Sequence, residues 1–296
     1  MLDQIPDYDS QDFTINEKHE DLLERKIISR KIGSGSLGVD LGGGYGRLTN
    51  VLTERFKNVI LMDYSVRNLH RARLLLRGKN VIFVKCDIRN PPLEPSSVDG
   101  AISIRVMHHY SDLSFIKNIY EKINGGGTLI FNVNNLKSPI HFFNLIKSPI
   151  SRRVAINPFH ARQQKVCNGS ENKCIYFIDY RDVLKLQRSE NFEYEILGCG
   201  ILHNRFVENK SRLADLERIT DAELSPIVTN MPTFLFPDVF FIARSKGYRY
   251  DKGKSDPFTV MKCKKCSSHL LRDGRKVYCS GCGENYGDEG DIIDLT

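Results

Sequence analysis

The stretch Leu37-Gly-Val-Asp40-Leu-Gly42-Gly43-Gly44-Tyr-Gly46-Arg47 decides the fold. Leu37 to Leu41 is a short apolar run of strand type, a glycine cluster follows, and Arg47 to Phe56 takes up helical spacing through Leu48, Val51, Leu52 and Phe56. A strand that passes through glycines into a helix lets the backbone turn tightly and approach a ligand closely. It also offers the helix's first N–H groups to an anion. The pattern is Asp-x-Gly-x-Gly-x-Gly over Asp40, Gly42, Gly44 and Gly46; the third glycine of a Gly-x-Gly-x-x-Gly dinucleotide loop would fall on Arg47.

Outward from this stretch, strand and helix alternate. Residues 15–31 suit an amphipathic helix ended by Gly33-Ser-Gly-Ser, and Asn58 to Met62 reads as a second buried strand. Ser65 is placed to N-cap a helix running to Arg77, with Val66, Leu69, Ala72 and Leu76 inward. Val81–Val84, Val98–Ile104 and Thr128–Val133 read as further strands, with a helix over Leu113–Ile123. Continuous apolar strands separated by helices predict a mostly parallel sheet covered on both faces. Residues 135–177 then read as irregular and basic, punctuated by Pro139, Pro149 and Pro158. A helix over Tyr180–Arg188 and strands at Phe192–Leu197 and Val239–Ala243 follow, with 200–235 inserted between the two strands. The division expected is one domain over 1–245, a linker over 246–258 and a cysteine-rich unit over 259–296.

Asp63 closes the second strand, where a carboxylate can accept from both hydroxyls of a ribose, and Asp87 closes the third, where one can accept from an adenine amino group. With the glycine loop, these acids resemble the class I S-adenosylmethionine (SAM)-dependent methyltransferases over about residues 15–245. The resemblance implies a Rossmann-like α/β fold with a seven-stranded, mostly parallel sheet. It implies that Asp40 and the loop Gly42, Gly43, Gly44 and Gly46 hold the methionine end of SAM. By the same likeness Asp63 binds the ribose with Tyr64 packed nearby, Asp87 takes the adenine amino group, and Ile88 covers the ring. Arg105 falls where the family lines the mouth of the cofactor site, an unusual residue there. Asn90-Pro-Pro-Leu93 looks like the signature of amino-group methyltransferases, but it precedes the fourth strand instead of following it and reads as a loop.

Methyl transfer from a sulfonium is an in-line displacement that needs alignment and, for a protonated nucleophile, a proton acceptor. His108 and His109, just past the fourth strand, are the best-placed ionisable pair; a helix-capping or packing role is the alternative. Ala101 to His109 is similar to the corresponding segment of eukaryotic tRNA wobble-uridine methyltransferases, and also to small-molecule methyltransferases with a histidine at this turn. Asn132, Asn134 and Asn135 end the fifth strand, where they can hydrogen-bond a substrate or favour a turn.

The 296 residues are 41% hydrophobic and 27% charged, a balance that excludes a wholly disordered chain, and no apolar run reaches membrane-spanning length. No membrane partner is expected, and without a recognisable leader the cytoplasm is the default location. The formal charge of +7 is concentrated in two acid-free stretches, Tyr64–Cys86 and Lys122–Ser170. The first reads as a solvated helix face. In the second, Phe131, Phe142, Phe143 and Phe159 among cations suit RNA; the alternative is an amphipathic lid packing His141, Phe142, Leu145 and Ile146 over the cofactor.

Cys263-Lys-Lys-Cys266 and Cys279-Ser-Gly-Cys282-Gly283 supply four thiolates to one tetrahedral ion, zinc by preference and iron as the alternative. So small a tail needs the metal to fold. With Tyr286, Gly290 and Ile292, the tail resembles the zinc-ribbon activators that partner tRNA, rRNA and release-factor methyltransferases, here fused in cis; Lys264 replaces that family's proline. A structural staple is the alternative. The expectation is a SAM-dependent methyltransferase with a zinc ribbon, acting on RNA or a translation factor. A small-molecule acceptor, or a catalytically silent SAM-binding or activator protein, is the competing reading.

Overall fold

The computed structural model describes residues 18–140, 162–167, 174–186, 191–202, 213–248, 256–288 and 291–296. The apolar run of the opening stretch forms strand β1 (Gly35–Leu41), its last five residues buried. Strands β2 (Phe56–Asp63) and β4 (Val98–Ser103) flank it in parallel, with Val39 in register with Ile60 and Ala101. Parallel β3 (Val81–Lys85) and β5 (Ile123–Asn134) lie outside them, and antiparallel β9 (Asp238–Ser245) and β8 (Phe192–Cys199) complete the seven strands expected of the fold. Neighbouring residues within a strand enter opposite apolar clusters: Ile60, Met62 and Phe241 on one face, Leu61, Phe240 and Ile242 on the other. That alternation marks a sheet buried on both sides.

Several boundaries move for packing reasons. Helix α1 spans Lys18–Lys31, and α2 after the glycine loop is only Thr49–Thr53, because Phe56 opens β2. The Phe56 ring fills space above Gly38 and Gly100, where an added Cβ would come within 2.6 and 2.3 Å of it. Helix α3 (Val66–Leu75) begins where expected, with Ser65 Oγ accepting from the Asn68 N–H at 3.2 Å. Helix α4 covers only Ile116–Tyr120, since Ile123 already belongs to β5.

The basic region 135–177 is not wholly irregular. Strands β6 (Gln163–Cys167) and β7 (Cys174–Ile178) form an antiparallel hairpin, anchored where the Leu136 N–H donates to the Ile178 carbonyl at 2.9 Å. The expected lid residues His141, Phe142, Leu145 and Ile146, and the aromatics Phe143 and Phe159 expected to stack on bases, lie outside the described residues. Helix α5 follows at Tyr180–Leu186. The insertion carries α6 (Leu213–Glu223) and the short α7 (Pro226–Thr229); α6 packs on α1, with Lys26 Nζ 2.8 Å from Asp221.

The tail departs most from a ribbon hung on a linker. Strands β10 (Leu270–Asp273), β11 (Lys276–Cys279) and β12 (Asn285–Asp288) make a small antiparallel sheet. Strand β13 (Ile292–Asp294) leaves it and pairs in parallel with β3, so the main sheet has eight strands in the order β13-β3-β2-β1-β4-β5-β9-β8. The Leu295 N–H donates to the Lys85 carbonyl and Lys85 Nζ to Asp294, at 2.8 and 2.9 Å. At the root of the ribbon, the Lys262 N–H donates to the Pro92 carbonyl at 2.9 Å, and the Glu94 N–H to that of Val260 at 2.8 Å. The Pro91-Pro92 loop is thus where the ribbon docks. Phe258, Met261, Leu270, Val277 and Ile293 are buried in the same apolar cluster as one face of the main sheet. Burial of each is worth about 2 kcal/mol, so the tail is held by a shared core.

Candidate active site and metal centre

The glycine loop sits at the carboxyl end of β1, where open α/β sheets take their ligands. Gly42, Gly44 and Gly46 have φ of +75°, +54° and +85°, in the left-handed region. A Cβ on Gly44 would meet nothing within 4 Å, so its lack of a side chain leaves open space beside exposed backbone. Asp40 is 3% exposed and accepts from Thr49 Oγ1 at 2.6 Å. Burial pushes its carboxyl up to about 7, against the Thr49 hydrogen bond and the charge of Arg47.

Asp63 ends β2 facing this loop, and its carboxylate accepts from the N–H of Gly44 and of Ser65, both at 2.8 Å. Tyr64 beside it is half exposed, and Ile88 is buried in the core. Asp87, at the corresponding end of β3, is engaged by its neighbour: Arg89 Nε and Nη2 grip both carboxylate oxygens at 2.5–3.0 Å. Partial burial would raise this carboxyl, but the Arg89 hydrogen bonds hold it below its ordinary value. Any further donor to Asp87 would have to share it with Arg89, a residue that nothing in the sequence singles out although it stands two positions away.

Arg105 has φ +60°, uncommon for a non-glycine residue, with its N–H donating to Asn132 Oδ1 at 2.7 Å. That backbone turn sends the guanidinium to α1, where Nε donates to Glu24 at 2.6 Å and Nη2 pairs with Glu20. Arg47 reaches the same helix, donating to Asp21 at 2.6 Å and to Glu24. Two arginines therefore clasp α1 across the glycine loop. The acids at 20, 21 and 24 share one helix face by their spacing; their arginine partners are not legible from sequence.

His108 and His109 form a single 3-10 turn over Met107–His109 after β4, their rings 4.1 Å apart. Strand β7 packs against this turn. Burial holds both imidazoles neutral: His109 is pushed down to about 4, and His108 well below its ordinary value with His109 and Arg105 adding to the effect. Tyr110 follows with Arg89 5.8 Å above its ring. Asn135 has turned away from the mouth, its Nδ2 donating to the Phe236 carbonyl at 2.8 Å. It thereby fastens the end of the insertion to β5.

In the ribbon, the sulfurs of Cys263, Cys266, Cys279 and Cys282 all lie within 4.8 Å of one another, with Cys263–Cys282 at 3.7 Å and Cys266–Cys279 at 3.3 Å. Zinc–sulfur bonds of about 2.3 Å in a tetrahedron separate sulfurs by about 3.8 Å, so the donor set fits zinc. Backbone N–H groups of Lys265 and Gly281 donate to Cys263 and Cys279 sulfurs at 3.4 and 3.3 Å, and the Tyr286 hydroxyl lies 3.0 Å from Cys263 Sγ. Donors arranged in this way favour thiolates. The lone cysteines Cys86 and Cys199 are buried, and burial raises both thiols, so they serve as small core residues.

Residues 39–131 match the methyltransferase domain family. No curated protein matches the chain. A SAM-dependent methyltransferase from Mesorhizobium loti aligns over 75% of this chain and 95% of its own, with TM-score 0.53 and 16% identity. One from Thermotoga maritima aligns over 77% and 92%, with TM-score 0.51 and 21% identity. A complex between the Trm112 methyltransferase activator and a methyltransferase of Haloferax volcanii is also similar, over 79% and 94%, with TM-score 0.50 and 16% identity. The match over 39–131 and the architecture together give the chain the fold of the class I SAM-dependent methyltransferases.

Proposed function

We propose that this protein transfers the methyl group of SAM to a nucleophile presented at His108 and His109, on an RNA or a translation factor. The observation carrying the reading is the convergence at one end of the sheet of the open loop at Gly44, the Asp63 carboxylate and the neutral histidine pair. When bound, SAM supplies an electrophilic methyl group on a sulfonium. The loop Gly42–Gly46 and Asp40 would hold its methionine end, Asp63 with Tyr64 its ribose, and Asp87 with Ile88 its adenine. Arg47 and Arg105 would keep α1 against the loop. A neutral imidazole accepts a hydrogen bond from the acceptor's N–H or O–H and so holds the acceptor atom's lone pair toward the methyl group. Because burial makes the ring a weak base, it takes the proton only once methylation has made the acceptor atom strongly acidic. The pair also aligns the acceptor, the larger contribution in such a displacement.

Two features support the macromolecular acceptor: the acid-free stretch 122–170 leading away from β5, and the fused ribbon. The Haloferax methyltransferase is bound to a separate activator; we read residues 259–296 as an activator supplied in cis, with a zinc ion on Cys263, Cys266, Cys279 and Cys282, seated on the β3 edge through β13. A small-molecule acceptor is the second reading, favoured by the half-buried position of both histidines beneath the β6–β7 hairpin. Salt separates the two. An RNA acceptor's affinity falls steeply with ionic strength because counterions are released from phosphates, whereas a neutral small acceptor's KM stays flat.

A further inference from the structure

Helix α3 carries a surface that methyl transfer leaves unused. Leu69, Ala72 and Leu76 are buried, but Leu74 is 79% and Leu75 60% exposed, with Val66 also exposed at the start of the helix. Arg67, Arg77 and Lys79 are exposed on this helix and the turn after it, and none has a carboxylate partner among the described residues. Arg73 on the same helix is paired with Asp291 at 3.7 Å, and other surface cations have such partners, as Lys26 and Arg30 do in Asp221, Lys185 in Asp182, and Lys265 in Glu284. No acidic residue occurs between Tyr64 and Cys86.

A single exposed leucine needs no explanation, but adjacent leucines among unpaired cations in an acid-free segment form a surface complementary to something both apolar and anionic. We propose that this face of α3 docks the protein reversibly on an anionic lipid bilayer. Leu74 and Leu75 would enter the boundary between headgroups and acyl chains, with Arg67, Arg77 and Lys79 at headgroup level. RNA would satisfy the cations but gain little from leucines, since bases stack on aromatic or guanidinium planes. Three apolar side chains fall short of the roughly 800 Å² per partner of a stable protein interface. No helix among the described residues is long and apolar enough to cross a membrane, so the contact is peripheral. The absence of a spanning segment had argued against a membrane partner; an interfacial one needs none. This docking stands apart from the choice of acceptor.

Flotation of the full-length, zinc-replete protein with phosphatidylcholine–phosphatidylserine vesicles, against phosphatidylcholine alone, tests it at low salt. The protein should float only with the anionic vesicles. Leu74→Ser with Leu75→Ser should weaken partitioning by about tenfold or more. Arg67→Glu, Arg77→Glu and Lys79→Glu together should abolish it, and both variants should keep the parent melting temperature. Failure of the wild-type protein to float, or flotation unchanged in both variants, overturns the proposal. So does undiminished binding by the leucine variant when single-stranded RNA displaces the wild type, which would mark a polyanion surface instead.

Discussion

The Gly44 N–H donates to the Asp63 carboxylate at 2.8 Å, joining the crest of the glycine loop to the end of the neighbouring strand. The group expected to receive the ribose thus also sets the loop expected to receive the methionine end. Two substitutions separate these roles. Asp63→Ala should weaken SAM binding by about tenfold or more, the cost of losing hydrogen bonds to a charged acceptor. Gly44→Ala, at φ +54° with open space around it, should cost about 1 kcal/mol in stability and weaken SAM binding by more than that cost. Isothermal titration with SAM and thermal melts of both variants read the two effects independently.

The histidine turn gives a pH signature. With His109 pushed down from 6.5 to about 4, its imidazole is neutral throughout the physiological range. Its own contribution to activity should therefore show no acid limb near 6.5 and should fade only toward pH 4. A limb near 7 retained in a His109 variant belongs to the buried Asp40 carboxyl, pushed up to about 7. His109→Ala should lower kcat by about a hundredfold, and a kcat near wild type would mean that the ring only packs. Stability moves in the same direction. Between about 4 and 6.5 the unfolded chain binds the proton that the folded one refuses, so stability falls as pH drops through that window. Urea titrations from pH 4 to 7 of wild type and the variant isolate this contribution.

Sequence alone exposed the sheet because β1, β2 and β4 are short segments rich in buried apolar residues, Val59 to Met62 unbroken among them, and it placed the turn after β1 because glycines are hard to explain otherwise. It was less informative where a contact is distant. Phe56 looks helical by spacing and becomes a strand because Gly38 and Gly100 leave room for its ring. Asp87 looks free until Arg89 is seen on it, and Arg105 points to α1 through a backbone turn that no local pattern encodes. The Pro91-Pro92 loop reads as punctuation, yet it receives the ribbon. Strand β13 was hidden because three residues, Ile292 to Asp294, are too few for a periodic signal and pair with β3, some 200 positions earlier.

That strand makes a prediction about the tail. Deleting residues 291–296 removes the buried Ile293 and Leu295 and bares the β3 edge. Losing about 2 kcal/mol for each side chain should lower the melting temperature by about 6 °C, and the open edge should promote association. Differential scanning fluorimetry and light scattering measure both. A tail that merely trails would leave both unchanged.

Metal content is the fourth expectation. The purified chain should hold about one zinc per molecule, and Cys266→Ser with Cys282→Ser should lose it. Chelation should unfold the ribbon and, because Leu270 and Val277 share the main core, lower the melting temperature of the whole chain. Elemental analysis before and after chelation, followed by melting, checks each step. A melting curve indifferent to chelation would leave the four sulfurs as an unmetallated cluster.

The most direct test of the central claim is methyl transfer from radiolabelled SAM by the zinc-replete protein into separated pools of RNA, protein and metabolites. Label should enter one pool, the RNA or protein pool on the favoured reading, and should disappear with Asp63→Ala. No label in any pool, despite measurable SAM binding lost in that variant, would contradict an active methyltransferase and leave a methyltransferase fold used for binding.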